Sequence, residues 1–329
     1  MKSSITDVPG IEVGQVQDLD ALTGVTVVLC RTGAAGGVDQ RGGAPGTRET
    51  DLLNPINLVE KVHGVVLAGG SAFGLDSASG VMKYLEEQKI GFDVGVAHVP
   101  IVPAAILFDL SIGKSEVRPT AEMGYAAAAA ASSEAPPEGN FGAGAGASVG
   151  KIFGNAGAMK SGIGTASMDV GGGVIVGAIV AVNAYGDVID PKTGEILAGA
   201  RSTKVGPIRL GTPGYFADTM GTMKTLAGRV IEGMTMRSNT VIGVVATNAK
   251  FTKVEANKMA QMAQDGLARA IRPAHTMLDG DTIFALATGQ KNADVSLVGA
   301  FAAEVFTEAC IRAVKASTSA GGLPGLANL

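Results

Sequence analysis

A threonine hydroxyl is a weak nucleophile in mid-chain. At a chain's first position its own α-amine, with a reference pKa of about 7.7–8.0, takes the hydroxyl proton at neutral pH. The run Arg237-Ser238-Asn239-Thr240 is a place where a chain can make such a terminus for itself. The Thr240 hydroxyl attacks the Asn239 carbonyl, the amide becomes an ester, and water opens it. That chemistry asks for Ser, Thr or Cys directly after the cut and for a strained, exposed junction before it. Here a polar linker meets Val241-Ile242-Gly243-Val244-Val245-Ala246, a strong strand pattern. On the residues alone, the plainer reading is a turn asparagine followed by a β-branched residue that opens a strand.

Asp279-Gly280-Asp281 is the second candidate. In an extended segment, alternation puts both carboxylates on one face. Such a pair can hold an ammonium, orient a nucleophile's proton or bind a metal; it is also an ordinary Asx turn. No GxxxxGK[ST] phosphate loop accompanies it. The third candidate is the Gly/Ala-rich loop 142–150 leading into Lys151, whose successive N–H groups can cradle an anion or oxyanion, or which is a linker with a solvated lysine. His63, His98 and His275 are scattered without metal-ligand spacing and read as structural. A serine-hydrolase GxSxG is only approached, by Gly69-Gly70-Ser71-Ala72-Phe73-Gly74.

The elements that must position these residues follow from pattern. Residues 65–68 form a short buried strand that turns through 69–74 into a helix near Leu75, with Leu75, Val81, Met82 and Leu85 on one face. Residues 33–51 read as a loop, 121–132 as an Ala-rich helix and 174–182 as a buried strand. Residues 194–236 lack periodicity and read as a surface-lying connection. Thr252-Lys253-Val254-Glu255 is a capping box opening a helix to about Ile271. Residues 282–287 form a strand, 295–314 an amphipathic helix, and 321–329 a frayed tail.

Composition narrows the class. Of 329 residues, 46% are hydrophobic and 17% charged, which excludes a disordered chain. The net charge is −4 with signs mixed, and there is no basic block, so nucleic acid is not an expected partner. Cys30 and Cys310, the two cysteines, lie in apolar runs and read as buried small hydrophobes, and no zinc pattern or cofactor motif is present. The first ten residues do not read as a signal peptide, and the longest apolar stretch is too short to span a bilayer. The expectation is a cytoplasmic protein without membrane partners, folded as one domain over 1–329. The apolar, Ala-containing helix at 295–314 suggests a face for self-association.

Several segments, in order, resemble the DmpA-type aminopeptidases and the nylon-oligomer hydrolases, a family of self-processing amide hydrolases. They are Ile5-Thr6-Asp7-Val8-Pro9-Gly10-Ile11, Gly42-Gly43-Ala44-Pro45-Gly46-Thr47-Arg48-Glu49-Thr50-Asp51, Ala68-Gly69-Gly70-Ser71-Ala72-Phe73-Gly74-Leu75, Asn239-Thr240-Val241-Ile242-Gly243-Val244-Val245-Ala246-Thr247-Asn248 and Asp279-Gly280-Asp281-Thr282-Ile283-Phe284-Ala285. The resemblance implies an α/β fold of four layers, an αββα sandwich of two face-to-face sheets with helices outside. It implies cleavage after Asn239 into 1–239 and 240–329, with Thr240 as nucleophile and Asp279 and Asp281 orienting it. It assigns Lys151 to the active site and Asn183 to the oxyanion. Phe73 stands in the substrate pocket where relatives carry a tyrosine, so its hydroxyl is missing here. No cofactor is implied. The implied substrates are small peptides or amides, including β-peptides and aminohexanoate oligomers, and the implied assembly is a tetramer of processed pairs. Two alternatives stay open: an acyltransferase of the ornithine acetyltransferase type, and a processed but idle assembly protein.

Overall fold

In the computed structural model, which describes residues 3–205, 208–210, 214–225 and 239–329, one 18-residue strand joins two sheets. The main strands are β1 (Glu12–Asp18), β2 (Thr23–Gln40), β3 (Thr47–Arg48), β4 (Lys61–Ala68), β5 (Ala104–Ile106), β6 (Ile163–Asp169), β7 (Ile175–Asn183), β8 (Thr240–Ala249) and β9 (Thr282–Lys291). Their spatial order is β6-β7-β8-β9-β2-β4-β5-β3, with β1 beside β2. The first half of β2 pairs with β1 and β4, and its second half pairs with β9. The β2–β4 register shifts between Leu29 and Ala34, which lets one strand serve both halves.

Strand alternation then sorts the side chains into three apolar layers. Val25, Val27, Leu29, Val66 and Ala68 pack outward against α1 (Ser77–Glu87) and α2 (Ala121–Ala129). Val28, Val65 and Leu67 face inward, onto Ile179, Ile242, Val244 and Phe284 of the other half. Val180, Val241, Val245 and Ile283 point to the far side, against α3 (Lys253–Ala270) and α4 (Val295–Lys315). Helix, sheet, sheet, helix is the αββα sandwich that the resemblance implies. The capping box at Thr252 and Glu255 starts α3, and the Asp294 carboxylate caps α4 through the N–H groups of Ser296 and Leu297. Each such cap stabilises its helix by about 1 kcal/mol.

Several expectations need correction. Residues 33–40 are strand, not loop. Gly36 and Gly37 sit there because neighbours fill the Cβ positions, the backbone of Ala256 and Asn257 in α3 among them at Gly37. Helix α4 spends its apolar face inside the chain, on α3, β6 and β7, so that face is not available for self-association. The C-terminal tail is tied down by Ala327 N–H to Ser317 O and by Lys160 N–H to Pro324 O. The connection 194–236 lies partly outside the described residues, but Ala198, Ala200, Ala217 and Thr219 are buried rather than on the surface. They gather on Asp187, whose carboxylate accepts from Ala200 N (2.8 Å), Thr219 N (2.7 Å) and Thr219 Oγ1 (2.8 Å). Burial pushes the Asp187 carboxyl up to about 6. Both cysteines are free and buried. Among the described residues, no helix is long and apolar enough to cross a membrane.

Candidate active site

Strand register brings the first two site residues together. β7 and β8 are antiparallel, and the last residue of one, Asn183, lies opposite the first residue of the other, Thr240. A central strand pair buried on both faces holds this register firmly, because a one-residue slip would exchange every core side chain for its opposite.

The segment 278–281 grips the junction on both sides. Asn239 N–H donates to Leu278 O at 2.7 Å, and Gly280 N–H donates to Asn239 O at 2.8 Å. Val241 N–H donates to Asp281 Oδ1 at 2.8 Å. The Thr240 hydroxyl donates to the same Asn239 carbonyl oxygen that Gly280 holds. The hydroxyl therefore lies against the carbonyl it would attack, and a backbone N–H already polarises that carbonyl. The expectation of an exposed junction is corrected: Asn239 and Thr240 are each only 1% exposed, because Asn239 bridges to Asp279 and continues into the buried strand. Arg237 and Ser238 lie outside the described residues.

The two carboxylates face different partners. Asp279 accepts from Tyr185 N at 3.2 Å and from the backbone and hydroxyl of Thr276. Asp281 accepts from His275 N at 3.0 Å and contacts His275 Nδ1 at 2.9 Å. In the tautomer with Nδ1 protonated, the imidazole donates to this carboxylate. Burial first, and the neighbouring Asp281 charge second, raise the Asp279 pKa above the ordinary carboxylate range.

Lys151 and Asn183 form a second half of the site. Lys151 Nζ donates to Asn183 Oδ1 at 2.6 Å and to Asn183 O at 3.0 Å, and Ser148 N–H adds a bond to Oδ1 at 3.1 Å. With two donors on its oxygen, the Asn183 amide can point only its nitrogen the other way, where Nδ2 donates to Phe108 O at 2.9 Å. The amide nitrogen carries a second hydrogen beyond the one given to Phe108 O. The loop 142–150 is thus no linker: Lys160, fully buried, binds the carbonyls of Gly144 and Ala147 from beneath.

Phe73 lies on the turn at 69–74. It is 56% exposed, with the Arg118 guanidinium 3.8 Å above its ring. It connects to the site through Ser71 N–H on Leu107 O, one residue from the carbonyl that holds Asn183. Reading the sequence took His275 as structural without foreseeing its contact with Asp281, and did not foresee the Gly280 N–H on Asn239 O. The only signal for His275 was its place six residues before Asp281; a backbone donor leaves no signal in residue type. Among the described residues, no three His, Cys, Asp or Glu side chains come together as metal ligands.

The chain is similar to known proteins over nearly its whole length. The sequence profile of Peptidase family S58 matches residues 3–327. The chain is 44% identical over 353 residues to an uncharacterized aminopeptidase of Mycobacterium leprae (strain TN), covering 98% of this chain and 92% of that one. It is 30% identical over 322 residues to a 6-aminohexanoate-oligomer endohydrolase of Kocuria sp. (strain KY2), covering 94% and 85%. Among solved structures, a Burkholderia sp. beta-aminopeptidase aligns with a TM-score of 0.67 at 23% identity, covering 99% and 91% of the two chains. The L-aminopeptidase D-Ala-esterase/amidase of Ochrobactrum anthropi aligns with a TM-score of 0.70 at 19% identity, covering 98% and 88%. These two share the fold of this chain. With a profile that spans nearly its whole length, the chain belongs to Peptidase family S58 and is a hydrolase of peptide or amide bonds.

Proposed function

We propose that the chain cuts itself between Asn239 and Thr240 and then hydrolyses small peptides or amides with the new N-terminal threonine. The observation that carries this reading is the Thr240 hydroxyl lying on the Asn239 carbonyl oxygen while Gly280 N–H holds the same atom. In the first reaction Thr240 Oγ1 bonds to the Asn239 carbonyl carbon and its proton passes to the Thr240 nitrogen. The C–N bond breaks to give an ester, and water cleaves that ester into an Asn239 carboxylate and a free Thr240.

In the second reaction the free α-amine takes the Thr240 hydroxyl proton. Oγ1 attacks the substrate carbonyl, and the second hydrogen of Asn183 Nδ2 donates to the oxyanion. Lys151 adds positive charge and holds the Asn183 amide in that sense. The amine product leaves with the proton, and water then releases the acyl group. Asp281, through Val241 N–H, and Asp279, through Thr276 and Tyr185, hold the new terminus in place. Asp279 and Asp281 also put negative charge near the α-amine when that amine is protonated.

The substrates we propose are short and carry a free amine: amino-acid amides, β-peptides or aminohexanoate oligomers, the classes in the names of the relatives. We further propose a cytoplasmic enzyme that assembles from processed pairs into a tetramer. An acyltransferase would use the same acyl-enzyme and differ only in the acceptor, so added amines would speed its turnover. An idle assembly protein would be processed and turn over nothing.

Intact mass of the purified protein tests the reading. Two chains, 1–239 and 240–329, are expected from wild type and one chain from Thr240→Ala, with hydrolysis of an amide panel only in the former. A wild-type chain that stays whole through long incubation would sink the proposal.

A further inference from the structure

Between the two glycine-rich turns lies a carboxylate that the chemistry above does not use. Asp109 is 2% exposed. Its Oδ1 accepts from Gly70 N–H and its Oδ2 from the Thr23 hydroxyl, each at 2.7 Å. Two glycines make room for it. A Cβ at Gly69 would overlap Asp109 Oδ2, and a Cβ at Gly146 would fall 2.5 Å from Asp109 Cβ. The side chain is therefore wedged between the turn at 69–71 and the loop at 142–150. Lys151 and Lys160 are the cations whose charge reaches it.

The residue before Asp109 supplies the carbonyl that receives Asn183 Nδ2. Leu107 on the other side is pinned by Ser71 N–H, and its own N–H is bonded to Ala68 O. A buried side chain that accepts two hydrogen bonds ties this short segment to the turn at 69–71 and to β2, beyond what backbone pairing alone does, although burial pushes its pKa up. We propose that Asp109 is a positioning residue of the hydrolytic site: it locks the Phe108 carbonyl and so sets the direction in which Asn183 presents its amide nitrogen. The inference rests on the role given to Asn183 above.

The test compares Asp109→Ala, Asp109→Asn, Asn183→Ala and the double variant Asp109→Ala/Asn183→Ala in the full chain. The readouts are kcat and KM on whichever of L-alanine p-nitroanilide, β-alanine p-nitroanilide or the linear 6-aminohexanoate dimer the wild type turns over fastest. Asp109→Ala should lower kcat about 10- to 100-fold, the cost of misplacing a catalytic group by a fraction of an ångström to an ångström, with KM within about threefold. Asp109→Asn should recover most of kcat. Its oxygen still accepts from Gly70, and its amide nitrogen donates to a Thr23 hydroxyl turned to accept. The double variant should be no slower than Asn183→Ala, because two changes on one path are not additive.

Should Asp109→Ala fail to fold, Thr23→Val removes a single bond to the same carboxylate and should lower kcat about three- to tenfold, again with KM unchanged. If Asn183→Ala lowers kcat while folded Asp109→Ala or Thr23→Val does not, the inference is overturned and the reading of Asn183 stands. Multiplying effects in the double variant overturn it as well. If Asn183→Ala leaves kcat unchanged, both fall.

Discussion

Asp187 and Asp279 are two buried carboxylates in neighbouring segments, and each gathers backbone and threonine donors. Asp187 takes Ala200 N–H and both donors of Thr219. Asp279 takes Tyr185 N–H and both donors of Thr276. Burial raises both pKa values. What separates them is the second carboxylate. Asp187 has only Asp218, a weak influence last among its causes, whereas Asp279 has Asp281 two residues away with its charge directly felt. The first arrangement is a clamp that fastens the connection near 200–219 to the body of the fold. The second is a clamp with charge left over, placed at the start of the strand that Thr240 opens. On the function proposed above, the Asp187 clamp serves structure, whereas the like-charged pair of Asp279 and Asp281 serves the reaction at Thr240.

The sharpest way to break this comparison is to neutralise one member of each kind. Asp281→Asn keeps the volume but sets an amide N–H against either Val241 N–H or the His275 donors. It should slow both self-cleavage and amide hydrolysis on the order of 1,000-fold, since positioning and charge are lost together. Asp187→Asn should leave the self-cleavage rate within about threefold while lowering the unfolding free energy by about 1–3 kcal/mol, the cost of one buried donor left without an acceptor. Time courses of precursor disappearance and urea melts of the same samples check both. Equal slowing by the two variants would erase the distinction.

A smaller effect is expected between the paired carboxylates themselves. A Cβ at Gly280 would fall 3.0 Å from Thr240 Oγ1 and 2.5 Å from Ala44 O, so Gly280→Ala must push the hydroxyl or the loop aside. About tenfold slower self-cleavage follows, with the folded content unchanged. A rate equal to wild type would mean that the junction has slack the close contacts do not suggest.

Much of the fold is legible in the amino-acid sequence, and what is not legible has physical causes. The strands at 175–183 and 240–249 and the helices at 253–270 and 295–315 carry their period and caps in residue type. The Thr240 junction did not stand out by pattern, because a β-branched residue at a strand start is ordinary; only the resemblance across the chain raised it. The strand at 33–40 was hidden by Gly33, Gly36 and Gly37, which are glycines because Lys61, Val62 and α3 crowd them, a fact about neighbours far away in sequence. The pairing of Asn183 with Thr240 is a register between strands 57 residues apart in the chain, which neither strand's own sequence specifies. The Gly280 N–H is a backbone group and leaves no trace in residue type at all.

The mildest test concerns stability alone and returns to Asp187. Burial lifts its pKa from 3.8 to about 6, so the folded chain holds this proton more tightly than the unfolded chain does. The resulting stabilisation is present in full below about pH 4 and is lost as pH rises through 6, with a limit of about 3 kcal/mol. Urea unfolding in a Thr240→Ala background, which keeps one uncut chain, isolates it. The stability advantage of Asp187 over Asp187→Asn should shrink between pH 4 and pH 7, because asparagine has no proton to release. Asp279 titrates in both proteins and cancels from the difference. Parallel stability curves would show that the Asp187 carboxylate keeps an ordinary pKa despite its burial. The clamp would then rest on its three hydrogen bonds without the desolvation that sets it beside Asp279.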